Sequence, residues 1–222
     1  ATYGIGLDKI DVSALSKRGI YLCNSPDYNQ CEVADHIATM VMALSRHLVQ
    51  FTDRMRAGKY EIPYDWMKPQ RPGTQIVGYG RSARQAAERL SKGFGMHVIA
   101  YDPFLTEEEI ASAGARKVDL ETLMRNSDFV SINVSLLPST RDLIGEKEIA
   151  LMKPTAFLVN CSRGGIVNED ALIAALQTRK IAGAGLDTFV QEPLPKEHPF
   201  CKLDNVILTP HAAWYTTDAM KS

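Results

Sequence analysis

The spacing of apolar residues along the chain changes character at about residue 74. Before it, "GIYLCNSP" is a short apolar run closed by Asn24, Ser25 and Pro26 and reads as a strand. Val33, Ile37, Val41, Leu44, Leu48 and Phe51 then recur at helical spacing, so one long helix is expected from about Glu32 to Arg56, with Gly58 as its stop. "YEIPYDWMKPQRPG" has three prolines and no period, and reads as a connector. After it, short apolar runs alternate with amphipathic stretches. "TQIVGYG", "HVIAYDP", "DFVSINV", "TAFLVNCS", "IAGAGLD" and "NVILTP" read as strands. "SARQAAERLSKGFG", "TEEEIASAG", "ETLMRNS", "EKEIALM" and "NEDALIAALQTRK" read as helices. A strand such as "AFLVN" is apolar throughout, the mark of a parallel sheet covered on both faces. The expected class is α/β, with a doubly wound parallel sheet.

Composition narrows the function classes. The 222 residues are 45% apolar, enough for a substantial core. A net charge of −1 and the lack of any Lys/Arg run give no basic field for nucleic acid. No apolar run approaches the roughly 20 residues a membrane helix needs, so no membrane partner is expected. Cys23, Cys31, Cys161 and Cys201 lack paired spacing for zinc or redox work, so free thiols in a cytoplasmic setting and no metal are expected. The opening "ATYGIGLDKID" has no initiator Met and enters directly into a glycine-rich turn, as expected of a piece of a longer protein.

The first chemical motif is "IVGYGRSARQAAERL". Gly78 permits a tight turn after a strand, Gly80 lets a pyrophosphate approach the backbone, and Ala83 allows close packing of helix on strand. The amides opening the helix would face the phosphates. Such a string is weak alone, but Asp102 ends the next strand, where an acid can accept from a ribose diol and repel a 2′-phosphate. A Rossmann-like domain binding NAD is therefore expected, against the plainer reading of Asp102 as a turn residue before Pro103.

A second set follows later strands: Arg163 in "NCSRGGIV", Asp187 and Glu192 in "LDTFVQEP", and His211 in "TPHAAWY". Hydride chemistry on a 2-hydroxy or 2-oxo acid needs a cation for the substrate oxygens and a proton donor and acceptor. Arg163, Glu192 and His211 fill those roles if folding gathers them. Taken singly, Arg163 could pair on the surface, Glu192 could merely precede Pro193, and His211 could open a loop.

"GYGRSARQAAERL", "YDPF", "MKPTAFLVNCSRGGIVNEDALIAAL", "IAGAGLDTFVQEP" and "NVILTPHAAW", with "GIGLDKID" and "VADH" before them, resemble the D-isomer-specific 2-hydroxyacid dehydrogenases nearly end to end. "TPHAAWY" and "YDW" resemble most the branch of the C-terminal-binding-protein corepressors. The resemblance implies that Arg163 binds substrate and that Glu192 pairs with the acid–base His211. It implies Arg81 and Ser82 on the pyrophosphate, and Gly78, Gly80, Asp102, Val134, Cys161, Ser162, Arg163, Asp187, His211 and Ala213 among the cofactor contacts. Tyr3, Gly4 and Ile5, in a turn ending at Gly6, would offer backbone amides to the substrate carboxylate. It also implies a homodimer, joined through the long helix and the "YDW" connector. Residues 1–25 and 214–222 would belong to a flavodoxin-like substrate domain, and 26–213 to the NAD domain. The fragment would then have weak activity or none. Ser82, Asn133, Ser135 and Asp35 depart from the family pattern without removing a catalytic residue. The rival is an NAD-sensing interaction module of the corepressor type.

Overall fold

The computed structural model describes residues 1–2, 4–7, 9–63 and 74–221. Among the described residues three α-helices precede the sheet: α1 (Val12–Lys17), α2 (Gln30–Ser45) and α3 (Leu48–Arg56). Then follow β1 (Thr74–Val77), α4 (Arg81–Glu88), β2 (Val98–Tyr101), α5 (Glu107–Ser112), β3 (Arg116–Lys117), α6 (Leu120–Asn126) and β4 (Phe129–Ile132). The second half runs through α7 (Glu146–Leu151), β5 (Phe157–Asn160), α8 (Glu169–Gln177), β6 (Gly183–Leu186) and β7 (Val206–Leu208).

The strands form one sheet in the order β3-β2-β1-β4-β5-β6-β7. Every pairing is parallel. Val77 is in register with Tyr101 on one side and Ile132 on the other, and Ile132 with Asn160. The carboxyl ends of the central strands are therefore level. The chain winds outward from β1 through β2 to β3, then returns to lay β4 beside β1. Such a reversal of strand order opens a crevice at the carboxyl ends, where ligands of open α/β sheets bind.

Each face of the sheet is covered, as the uninterrupted apolar strands require. β4 and β5 are buried at all four positions each. Val130, Ile132 and Leu158 pack on one side with Leu123, Ile149, Leu172 and Leu176 from α6, α7 and α8. On the other side α2 lays Ile37, Val41 and Leu44 against Phe129, Phe157 and Val159. The rings of Phe129 and Phe157 stack there, with centroids 5.2 Å apart. Burial of each such side chain stabilises by about 1.5–3 kcal/mol, so α2 is firmly fixed to the sheet.

Two expectations are corrected. The run "GIYLCNSP" is not a strand; residues 20–25 are irregular, and Thr2 N–H donates to the Cys23 carbonyl at 2.9 Å. No described strand lies beside them to complete a ladder. The long helix from Glu32 to Arg56 is two helices, broken at His47, whose φ of 50° is left-handed. The apolar spacing runs through the break, but its two halves do different things. α2 buries its stripe, whereas α3 has no buried residue and leaves Leu48 60% exposed.

Candidate active site

The turn after β1 is built around contacts that exclude side chains. Gly78 has φ +80°, and a Cβ on it would lie 2.5 Å from Val134 Cγ1 and 2.8 Å from the Asn133 carbonyl oxygen. Gly80, at the start of α4, is the opposite case: a Cβ there would meet nothing within 4 Å. That open floor beside the helix amides is the space a pyrophosphate needs. Ala83 is buried against the Tyr79, Val98 and Ala100 cluster. Tyr79 is itself fully buried, and its hydroxyl donates to the Ala113 carbonyl at 2.8 Å. Burial pushes this phenol above its ordinary value, against the opposing Arg84 charge.

Asp102 ties the tip of β2 to this turn. Its Oδ2 accepts from Tyr79 N–H at 3.0 Å and its Oδ1 from Phe104 N–H at 2.9 Å. It is thus a turn residue, but a carboxylate has roughly four lone-pair sites, so acceptors remain for a ribose diol. Arg81 forms an ion pair with Asp27 in the segment before α2. Asp35, one of the departures, pairs with Arg89, and Asn133 turns its amide onto the Ser131 carbonyl at 3.1 Å.

A cleft of 710 Å³ lies at the β1/β4 reversal. Gly4 to Leu7 and Pro26 form one wall, and Gly80, Arg81, Ser82 and Val134 another, with Cys161, Ser162 and Arg163 at its β5 end. The Ser162 hydroxyl donates to the Ile132 carbonyl at 2.8 Å and locks the ends of β4 and β5 together. Asn160 Nδ2 donates to the Arg163 carbonyl at 2.8 Å, and Arg163 Nη1 to the Ser162 carbonyl at 2.8 Å. Cys161 is buried, and burial followed by the nearby Asp187 charge pushes its thiol well above the usual range. It therefore acts as apolar wall. The Ile5 carbonyl accepts from Asn24 Nδ2 at 2.9 Å. Tyr3 and the "YDW" connector lie outside the described residues.

Glu192 and His211 follow β6 and β7, the next strands beyond β5. His211 Nδ1 lies 3.1 Å from Glu192 Oε1 and 3.0 Å from Oε2. Burial raises the Glu192 carboxyl, but the His211 ring, Phe189 N–H and more distant Lys9 outweigh it and hold it below the usual carboxylate range. His211 has φ 54° and donates its N–H to the Asp187 carbonyl at 2.8 Å. Fully buried Asp187 accepts from Ala212 N–H at 2.8 Å and Ala213 N–H at 3.0 Å. A non-glycine residue at positive φ costs free energy and persists where surroundings over-determine it. Here Asp187 does so: its carboxylate binds the 209–213 loop, with His36 beside it, and its own N–H donates to the Asn160 carbonyl at 3.0 Å. Arg163 lines the cleft, whereas Glu192 and His211 are not among its walls.

Three supports were missed in the sequence. A Cβ on Gly164 would fall 2.1 Å from the Phe189 carbonyl carbon, so this glycine lets the segment carrying Glu192 pack against the Arg163 turn. Glu169 Oε1 accepts from Val190 N–H at 2.7 Å and pins the same segment. His36 Nε2 lies 3.1 Å from the Thr209 hydroxyl. Each joins positions about 20 or more apart, and only the glycine-rich "SRGG" and the "VADH" string gave a hint.

The fold and the cleft define a doubly wound nucleotide-binding domain with a carboxylate–histidine pair at neighbouring strand ends. The chain belongs to the D-isomer specific 2-hydroxyacid dehydrogenases: residues 38–213 match the model of that family's NAD binding domain. It is 40% identical over 223 residues to D-3-phosphoglycerate dehydrogenase of Synechocystis sp., covering 97% of this chain and 39% of that protein. It is 42% identical over 220 residues to glyoxylate reductase of Korarchaeum cryptofilum, covering 96% and 65%. Its fold superposes with a TM-score of 0.89 on D-lactate dehydrogenase from Aquifex aeolicus complexed with NAD and lactic acid, at 30% identity, over 98% of this chain and 69% of that one. The open floor at Gly80, the remaining acceptors of Asp102 and the volume of the cleft fit the NAD that such a domain binds.

Proposed function

We propose that the protein carrying this chain moves a hydride between NAD(H) and C2 of a small D-2-hydroxy or 2-oxo acid. The observation that carries this reading is the Glu192–His211 pair at 3.0 Å, set at strand ends beside the dinucleotide cleft. Bound NADH supplies the hydride, and NAD accepts it in the reverse direction. Gly78, Gly80, Arg81 and Ser82 hold the pyrophosphate, Asp102 the adenosine ribose, and Val134, Cys161, Ser162, Asp187 and Ala213 the nicotinamide half. Arg163 binds substrate charge that is present throughout, so it orients more than it accelerates. Gly4 and Ile5 line the same cleft, and their amides would suit the substrate carboxylate. His211 Nε2 donates its proton to the carbonyl oxygen in reduction and takes it back in oxidation, while Glu192 holds the ring through Nδ1.

The relatives' names, glyoxylate reductase and D-lactate dehydrogenase, make glyoxylate and pyruvate the first acids to test, with hydroxypyruvate beside them. NADH oxidation by the full-length protein with these acids, compared with H211N, tests the reading. An unaffected rate in H211N would remove the histidine from its role. Residues 1–25 and 214–222 fit the substrate-domain side of such an enzyme, and 26–213 the NAD side.

A homodimer is part of the same proposal. α2, α3 and Phe94 bound a groove of 760 Å³ whose apolar walls include Ala38, Met42, Leu48 and Phe51. A second copy would cover it, and light scattering at micromolar concentration would show twice the monomer mass. The four cysteines are free thiols, which suits a reducing cytoplasm. Among the described residues no helix is long and apolar enough to cross a membrane, and no His/Cys/Asp/Glu cluster suits a metal.

A further inference from the structure

The loop that carries His211 is held from one side by Asp187, and something must in turn orient Thr209, the residue that opens it. Thr209 offers its hydroxyl to the Asp187 Oδ1 at 2.5 Å, while His36 Nε2 approaches the same hydroxyl oxygen at 3.1 Å. A hydroxyl has one proton and a carboxylate already taking two backbone N–H bonds is an acceptor. The Thr209 proton therefore goes to Asp187, and the His36 ring must supply the other proton. We infer that His36 is a positioning residue for the proposed hydride transfer: it donates from Nε2 to Thr209 and so fixes, through Asp187, the loop on which His211 sits.

The location of His36 suits that task. It lies on α2 directly before Ile37, which is fully buried, and α2 is anchored on the sheet by Ile37, Val41 and Leu44. The ring is 21% exposed, and its Nε2 is 3.7 Å from Asp187 Oδ1, beyond a hydrogen bond. From Asp187 the chain of contacts reaches both flanks of His211: Thr209 before it, and Ala212 and Ala213 after it. The His211 N–H closes the circuit on the Asp187 carbonyl. A rigid helix thus sets the position of a loop residue that stands at positive φ. Polar groups linked in this way lock an orientation more than they add binding energy. His36 touches neither substrate nor cofactor in this assignment, and the inference rests on His211 being the acid–base group proposed above.

The test is nitrogen-15 histidine spectroscopy joined to kinetics on the full-length protein. Long-range proton–nitrogen correlation in the wild type is expected to show His36 protonated at Nε2. H36L is expected to shift the His211 ring signals and lower kcat for 2-oxo acid reduction about tenfold or more, since small misplacements of a reacting group have effects of that order. KM for NADH should change less than kcat, because the pyrophosphate turn and Asp102 are untouched and only the Asp187–Ala213 side of the nicotinamide half is reached. H36Q, whose amide can donate at the Nε2 position, should recover most of the rate. A His36 bearing its proton only on Nδ1, an H36L protein with unmoved His211 signals, or a loss that H36Q fails to recover would each overturn the assignment. The wild-type tautomer needs no variant to fold. If wild-type protein reduces no 2-oxo acid, the proposed activity fails, while the spectra still decide the hydrogen bond.

Discussion

Glu192 presents both carboxylate oxygens to one atom of His211, at 3.1 Å and 3.0 Å from Nδ1. That geometry fixes the ring, because an Nδ1–H donor facing a carboxylate leaves Nε2 for the substrate oxygen of the proposed transfer. Phe189 N–H donates to Glu192 Oε1 at 3.1 Å and helps hold the carboxylate beside the ring. E192Q is expected to keep the volume and lose the charge. Reduction of a 2-oxo acid should fall at least about 10²-fold in kcat, with the NADH KM little changed. Steady-state kinetics on both proteins measures this, and equal kcat values would dismiss the pairing as structural.

The same carboxyl gives a pH prediction. Glu192 sits below the usual carboxylate range in the folded protein, through its bonds to His211 and Phe189. The unfolded chain therefore binds its proton more readily than the folded one. Its contribution to stability is full above the unfolded value of roughly 4.3, and is lost as pH falls through the lower folded value. Tm measured from pH 6 down to pH 3 should fall more steeply for wild type than for E192Q. Parallel curves would show that the pair contributes nothing to folding.

Much of this arrangement was legible in the sequence because single segments carried it. "AFLVN" and "DFVSI" are apolar at every position, and they are the doubly covered strands β5 and β4. Gly78, Gly80 and Ala83 lie within six residues of one another, so their turn could be read locally. What escaped was set by partners far along the chain. β3 is two residues long, Arg116 and Lys117, and exists because β2 offers it a ladder. "GIYLCNSP" has the composition of a strand, but no described strand neighbours it. The break at His47 interrupts an apolar spacing that no glycine or proline marks. The position of Asp187 after a strand was readable, but not that its carboxylate takes three hydrogen bonds from residues 209–213, over 20 positions away.

Asp102 is expected to set cofactor choice and to stiffen the turn, two effects that separate by substitution. D102N keeps one acceptor oxygen for Tyr79 or Phe104 but removes the charge. D102A removes both acceptors and leaves those N–H groups to water or unpaired. Both should narrow the preference for NADH over NADPH, and D102A, which loses both acceptors, should lose more stability than D102N, about 1–3 kcal/mol. Titration of both cofactors by fluorescence, with urea unfolding alongside, checks the two effects. A D102A protein that keeps its preference would place the ribose elsewhere.

Alanine at three glycines should produce three different failures, because the space around each differs. At Gly80 an added methyl enters open space, and its backbone φ of −73° suits any residue. G80A should unfold within about 0.5 kcal/mol of wild type, yet lose NADH affinity, since the methyl occupies the phosphate floor. At Gly78 the methyl would strike Val134 and the Asn133 carbonyl at 2.5 Å and 2.8 Å, with φ at +80°. Overpacking of that kind costs about 1–3 kcal/mol, and the left-handed backbone about 1–2 kcal/mol more, so G78A should lose stability and NADH binding together. At Gly164 the obstacles are backbone atoms, Phe189 C at 2.1 Å and Val190 N at 2.3 Å. These cannot rotate aside as a side chain can, so the 189–192 segment must shift and take Glu192 from His211. G164A should therefore lower kcat far more than it raises the NADH KM. Calorimetric titration with NADH, denaturant unfolding and steady-state kinetics on the three full-length variants separate the patterns. NADH affinity unchanged in G80A would show that the pyrophosphate does not rest on this turn.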